Sequence, residues 1–367
     1  VTMTVHLRSA LPIHRPSKAL LIGLVISSLA AVVVLGIFMA GGGPVGFGLS
    51  LLLAVAPLPV LLAAVLSLDR LEPEPRLHLA FAFAWGAGVA VVLAIGLTLA
   101  GEALFARAGY GSQVVDAVGT VFLAPVIEEA LKGSALLLLL RRRREIDGLT
   151  DGIVYASLAG LGFAAVENVG YYLSAYLQGG MGATMQLFLI RGLIDPLGHP
   201  VYTSMIGLGV AYALTRRGPA RLAMIPLGYL AAVVLHGLWN GGASMQSLPW
   251  LGGAYLVIMA ALVLLVVVTV RERRQLVGRM GAYLPWYRST GLVTEQDITM
   301  LSSLPGRRRA RKWARGEGLG RAMSDYQQAA TELTLLHLRA EREGVDPDRF
   351  AAERDALLDV MARARRW

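Results

Sequence analysis

The sequence contains no cysteine, which excludes a disulfide framework and any thiolate metal site. Charge is also scarce: 16% of the 367 residues are Asp, Glu, Lys or Arg, against about 25% in an ordinary soluble domain. Water is therefore the wrong solvent for most of this chain. Zinc-finger, RNA-recognition and P-loop patterns are absent, as is the His-Glu-x-x-His helix motif of common zinc proteases. What fills the chain is apolar. Hydrophobic residues make up 55% of it and come in blocks of about twenty or more, the length that crosses a hydrocarbon core.

These blocks predict an all-α, polytopic transmembrane bundle of about eight spans, at 19–40, 44–67, 77–100, 114–140, 149–177, 184–214, 222–243 and 250–270. The first block follows basic residues and lacks a small-residue cleavage site, so it reads as a retained helix and not a signal peptide. The formal net charge of +9 does not point to nucleic acid, because the basic residues gather at block ends and in the C-terminal tail. With the N-terminus in the cytoplasm, Arg8, Arg15, Lys18, Arg70, Arg76, Arg141 to Arg144, Arg216, Arg217, Arg221 and the cluster from Arg271 all fall inside. Only Arg107 falls in an outer loop, as the positive-inside rule requires. The expected location is the cell membrane, with both termini cytoplasmic. Alanine, glycine and arginine enrichment points to a GC-rich bacterium.

The chain divides into a transmembrane domain, 1–274, and a basic cytoplasmic tail, 275–367. Residues 275–320 look loop-like and end in a basic run around Arg307 to Arg315. That run suits either contact with anionic lipid headgroups or a merely solvated surface. Two amphipathic helices follow. The first covers about 322–342, and the second begins at Asp346-Pro347, a good N-cap before a first-turn proline. Leu333, Leu336, Leu357, Val360 and Met361 would form the core of that hairpin.

Ionisable groups inside spans cost roughly 2.5–3.5 kcal/mol each on insertion scales, so those retained usually serve function. Glu128 and Glu129 sit midway along their block, and Lys132 follows within one helical turn of both. Adjacent helical residues diverge by about 100°, so the two carboxylates cannot point the same way. One would pair with Lys132 while the other faces a cavity. In the next block, Glu167 and Asn168 continue a small-residue stripe of Ala156, Gly160 and Ala164, which permits close helix approach. Pro196 and Pro200 predict a kinked or broken helix around 195–200. If that helix stays regular, Asp195, His199, Thr203 and Gly207 share a face, with Arg191 one turn away as an ion-pair partner for Asp195. Gly228, Ala232, His236 and Asn240 form another stripe at four-residue spacing. His6, His14, His78 and His337 lie at ends or in the tail and read as structural or solvent-facing.

Such a buried set of carboxylate, imidazole and amide groups suits peptide hydrolysis. A glutamate or histidine takes a proton from water, and imidazole or amide N–H groups stabilise the oxyanion. The same groups could hold a divalent metal, with Glu167, His199 and His236 as zinc ligands and Glu128 as base. Spacing alone does not choose between the two.

The succession Glu128-Glu129-x-x-Lys132, Phe163-x-x-x-Glu167-Asn168, His199-x-x-x-Thr203 and His236-x-x-x-Asn240 resembles the PrsW intramembrane proteases, relatives of the CAAX prenyl endoproteases and bacteriocin-processing proteins. The stretch Leu68-Asp69-Arg70-Leu71-Glu72-Pro73-Glu74-Pro75 and the region Phe83 to Gly86 are similar to that family too, and the resemblance covers roughly 55–245. It implies that 1–274 is a protease domain in which Glu128 activates water and Glu129 orients Lys132. His199 and His236 would sit in the site, Asn240 would bind the oxyanion, and Glu167, Asn168 and Thr203 would complete it. Prenyl endoprotease relatives carry histidine where this chain has Glu167, which keeps a metal open. The adjacent glutamates favour a metal-free, glutamic-type mechanism with no cofactor, and a single zinc is the alternative. The implied partners are the bilayer and a membrane protein substrate, such as a single-span anti-sigma factor receiving its first cut. The competing reading is a proton- or ion-coupled transporter, which would string polar groups along a path across the membrane instead of gathering them at one depth.

Overall fold

A computed structural model of the chain describes residues 17–71, 73–139, 146–245 and 247–366. His6, Arg8, His14, Arg15, Glu72 and Arg141 to Arg144 lie outside the described residues. Every regular element among the described residues is helical, and the chain forms two compact units, Pro16–Thr269 and Val270–Trp367.

The first unit contains α1 (Lys18–Val55), α2 (Leu58–Leu68), α3 (Arg76–Trp85), α4 (Val91–Arg107), α5 (Ser112–Val118), α6 (Ala124–Leu139), α7 (Leu149–Phe188), α8 (Gly198–Thr215) and α9 (Met224–Ser244). It also holds the first part of α10 (Leu248–Tyr283). Wider π-helical turns join α3 to α4 (Gly86–Ala90) and α5 to α6 (Gly119–Leu123), and a third follows α7 (Leu189–Ile194).

Among the described residues, five segments are long and apolar enough to cross a membrane: Lys18–Leu68, Arg76–Arg107, Leu149–Thr215, Pro219–Ser244 and Leu248–Thr290. Eight were expected, and the difference has two physical causes. Block 114–140 is continuous helix from Ser112 to Leu139, with a π-helical turn at Gly119–Leu123, but it drops out because Glu128, Glu129 and Lys132 leave it too charged. The segments of 51 and 67 residues are each longer than one bilayer needs, and both are interrupted. Gly43 and Gly180 each have φ of 67°, a left-handed conformation that glycine alone adopts freely. Leu35 and Phe38 before Gly43, and Leu51 and Ala54 after it, pack around Val169 and Tyr172, so the chain reverses there. It reverses again at Gly180, which brings Phe188 edge-on to Tyr172 with ring centroids 6.0 Å apart.

The first half of α7 is buried on all sides, from Thr150 to Ala164, and forms the shaft around which α1, α3, α6 and α8 pack. A helix apolar all round belongs in such a position. Leu21, Val25, Leu29 and Val32 of α1, by contrast, are more than half exposed or close to it, and they present the apolar outer face that lipid requires. Helix α8 meets the shaft at backbone distance: a Cβ added at Gly207 would lie 2.0 Å from the Gly152 carbonyl oxygen. Neither backbone can yield without moving a helix. Gly207→Ala is therefore expected to cost about 1–3 kcal/mol or more, read as a lower melting temperature in detergent.

The second unit corrects an expectation. Residues 275–320 are mostly helical, not loop: α10 runs on to Tyr283, a 3-10 turn covers Leu284–Thr290, and α11 (Glu295–Leu301) and α12 (Leu304–Gly316) follow. Their starts are capped, by Thr294 with Asp297 and by the Ser303 hydroxyl accepting from Gly306 N–H. The arginines of α12 are themselves good helix formers. Arg307 is not on the surface with its neighbours. It is buried, donating to the Gln327 carbonyl at 3.1 Å and the Thr331 hydroxyl at 2.9 Å. Burial, then the nearby Arg311, pulls its pKa down to about 10.

Helices α13 (Gly320–Glu343) and α14 (Pro347–Ala364) pack as a pair, with Leu333, Leu336, Leu357, Val360 and Met361 buried. His337 is buried within this unit. It stacks on Tyr283 at 5.0 Å, meets Trp286 and Phe350 edge-on, and shares a 2.7 Å hydrogen bond with the Tyr287 hydroxyl. Burial lowers its pKa below the ordinary histidine value; Glu341 opposes this and Arg354 adds to it. The unfolded unit thus takes up the proton first, so the His337 contribution is present above about pH 6.5 and is lost as pH falls toward the folded pKa. Hydrogen-exchange protection of α13 is expected to weaken over that range in the natural chain, and much less in His337→Phe.

Candidate active site

Four helices, α6 to α9, deliver the polar groups, and small residues let them meet. Gly160 on α7 lies against the backbone of His199, where an added Cβ would be 2.6 Å from the His199 carbonyl oxygen. A Cβ added at Gly228 on α9 would lie 2.4 Å from the Met205 carbonyl oxygen of α8, and this close approach seats His236 two turns further along. Glu128, Glu129 and Lys132 come from α6, behind the π-helical turn 119–123.

Glu129 is wholly buried and fully engaged. One carboxylate oxygen lies 2.6 Å from Lys132 Nζ and 3.0 Å from His236 Nδ1, and the other accepts from the Thr203 hydroxyl at 2.9 Å. Glu128 is the less committed of the two, with a 3.4 Å contact to Lys132 Nζ and 7% of its surface accessible. Lys132 Nζ also meets His199 Nδ1 at 2.9 Å and sits 4.3 Å from the centre of the Phe163 ring. His199 Nε2 lies 3.0 Å from the Glu167 carboxylate, which is ion-paired with Arg191. Arg191 Nε in turn donates to Asn168 Oδ1 at 2.7 Å.

Proton placement follows from these contacts. Glu129 is an acceptor, so His236 donates from Nδ1 and its Nε2 carries a lone pair. That Nε2 faces Glu128 Oε2 across 3.9 Å. Two acceptors so placed repel unless a water donates to both or a cation lies between them. Glu128, His199 and His236 each offer a ligand atom, all within 4.8 Å of one another. A carboxylate with two imidazoles is a common catalytic zinc donor set, and Glu129 behind His236 is the usual carboxylate orienting a metal-bound histidine. The donor types thus suit a divalent metal, although His199 would have to release either Lys132 from Nδ1 or Glu167 from Nε2 to bind one. The trio differs from the expected one in a single ligand: Glu128 stands in place of Glu167, whose carboxylate is held by Arg191.

Of the residues singled out in the sequence, Glu128, Glu129, Lys132, Glu167, His199, Thr203 and His236 come together. Asn168 joins through Arg191. Asn240 does not: its amide donates to the Thr120 carbonyl at 2.9 Å, in the π-helical turn before α6. Asp195 falls out of the expected face because the helix is interrupted there, with φ −119° and ψ 55°, and α8 begins only at Gly198. The Arg191–Asp195 pair is replaced by Arg191–Glu167, and Asp195 accepts instead from the Tyr202 hydroxyl at 3.2 Å. No local pattern pointed to Tyr202, whose ring stacks on His236 at 5.1 Å and 19°. A small cavity of about 20 Å³, room for one water, opens beside His199 between Asp195, Arg191, Asn168 and Tyr202.

The molecule is thus a helical membrane protein with a buried carboxylate–imidazole site assembled from separate helices. The PrsW-protease family, described as "PrsW family intramembrane metalloprotease", matches residues 74–268, more than half of the chain and all of the site. The chain belongs to that family. It is 26% identical over 138 residues to "Protease PrsW" of Oceanobacillus iheyensis, covering 38% of this chain and 59% of the relative. To the protein of the same name in Bacillus subtilis it is 27% identical over 132 residues, 36% of this chain and 55% of the relative. In Clostridioides difficile the figures are 25% over 119 residues, 32% and 48%. The chain thus spans about half the length of these curated relatives. No solved structure matches it.

Proposed function

We propose that the chain is an intramembrane endopeptidase that hydrolyses a peptide bond of a membrane protein with a water activated at Glu128. The observation that carries this is the pair of acceptors, Glu128 Oε2 and His236 Nε2, facing each other at 3.9 Å. A water there donates one proton to each, and either base can remove the proton as the oxygen attacks the carbonyl carbon. Glu129 holds His236 in the tautomer that leaves Nε2 free, and Glu167 with Arg191 orients His199. One Asn240 amide N–H serves the Thr120 carbonyl, which leaves only the second to meet an oxyanion. The gathering of these groups at one place, not along a path, favours hydrolysis over a transporter's proton relay.

Two mechanistic readings remain distinct. The metal-free one uses Glu128 as base. The second, favoured by the ligand atoms within 4.8 Å, has Glu128, His199 and His236 hold a zinc, which when bound supplies Lewis acidity and an acidified water. The substrate would be a single-span membrane protein, with an anti-sigma factor as a candidate for its first cut. The positive-inside distribution of the basic loops supports a topology with both termini in the cytoplasm.

The deciding experiment purifies the chain in detergent and follows cleavage of single-span substrates with and without a chelator. Cleavage unaffected by chelator supports the glutamic reading. Loss of cleavage restored by zinc supports the metal reading. Proton or ion flux in proteoliposomes, with no cleavage of any single-span substrate, would sink both.

A further inference from the structure

We propose that the exposed face of α12 is a docking site for the anionic headgroups of the bilayer in which the chain is embedded. Arg308, Arg309, Lys312 and Arg315 project from this face at helical spacing, while Gly306, Arg307 and Ala314 are buried on the other side. The helix carries no acidic residue. Elsewhere on the same unit, Arg288, Arg349, Arg354, Arg363 and Arg365 each pair with a carboxylate. The four α12 cations make no ion pair among the described residues, and Arg315 donates only to the carbonyl of Arg311. Beside them Trp313 holds its indole 58% exposed, where an aromatic ring among cations suits the headgroup boundary.

Two features favour lipid over other polyanions. The unit is joined through α10, one unbroken helix from Leu248 to Tyr283, to a membrane-spanning segment. Tethering keeps the local concentration of bilayer surface high, whereas a soluble polyanion must pay the full cost of association. The exposed indole adds an apolar contact that a phosphate backbone alone would not use. The inference rests on membrane embedding and not on proteolysis, so either can fail alone.

The test uses the full chain. Because the sequence has no cysteine, Gly316→Cys carries a unique thiol, at a position where an added side chain meets open space. The thiol is labelled with an environment-sensitive fluorophore, and the chain is reconstituted in nanodiscs of phosphatidylcholine with or without phosphatidylglycerol. The expected result is a blue-shifted, brighter emission with the anionic lipid, reversed by high salt. Adding Arg308→Gln, Arg309→Gln, Lys312→Gln and Arg315→Gln should weaken docking about fivefold per cation, and Trp313→Ser should reduce the shift at constant charge. Identical emission of the Gly316→Cys chain in the two bilayers overturns the proposal. So does capture of a single-stranded oligonucleotide that prevents the shift, which would make the face a nucleic-acid site.

Discussion

Replacing Glu128 with glutamine is expected to lower peptide hydrolysis by about 10²–10⁴-fold, the usual contribution of a general base, with little change in melting temperature. Glu128 differs from its neighbour in how little depends on it. Its contact with Lys132 is 3.4 Å, and it retains some accessible surface. Glutamine keeps the shape and can neither accept a proton from water nor hold a cation well. The loss is therefore expected under both the metal-free and the zinc readings, and cleavage of a single-span substrate measures it. Undiminished cleavage by Glu128→Gln would remove the site from the chemistry.

Lys132→Met is expected to act mainly on the fold. Lys132 is fully buried and bridges Glu129, Glu128 and His199. Removing it leaves Glu129 buried beside Thr203 and His236 with no cationic side chain in contact, a loss of about 3–5 kcal/mol. Glu129→Gln in the same chain removes the orphaned charge, so the double variant should recover most of the lost melting temperature. It should not recover cleavage, because His199 Nδ1 still lacks its partner. Melting and cleavage recovered together would mean that Lys132 has only a structural role. Melting that stays low in the double variant would mean that the cost came from packing against Phe163 and not from unpaired charge.

Paired polar spacings carried most of the site into view. A carboxylate pair with a lysine one turn on, two histidines each four residues before a polar partner, and stripes of glycine and alanine are local patterns, and the membrane gives them meaning by making each buried charge expensive. Asn240 shows the limit of that reading. It sits one turn beyond His236 and shares its stripe, yet its amide is taken up by Thr120. Helical spacing says which residues share a face, not which neighbour occupies each level of it. Arg191 and Asp195 fail for a related reason: the four-residue rule holds only while the helix continues, and this one is interrupted at Asp195. Tyr202 carries no local signal, since its role depends on α9 bringing His236 alongside.

Composition and apolar block length by themselves determined the solvent and the helical class, because these follow from desolvation and from rise per residue. The positions of the chain reversals at Gly43 and Gly180 and the exchange of Arg191 from Asp195 to Glu167 were decided only by packing. They depend on which backbones approach closely enough to touch, and that is a property of helix pairs and not of any one stretch of sequence.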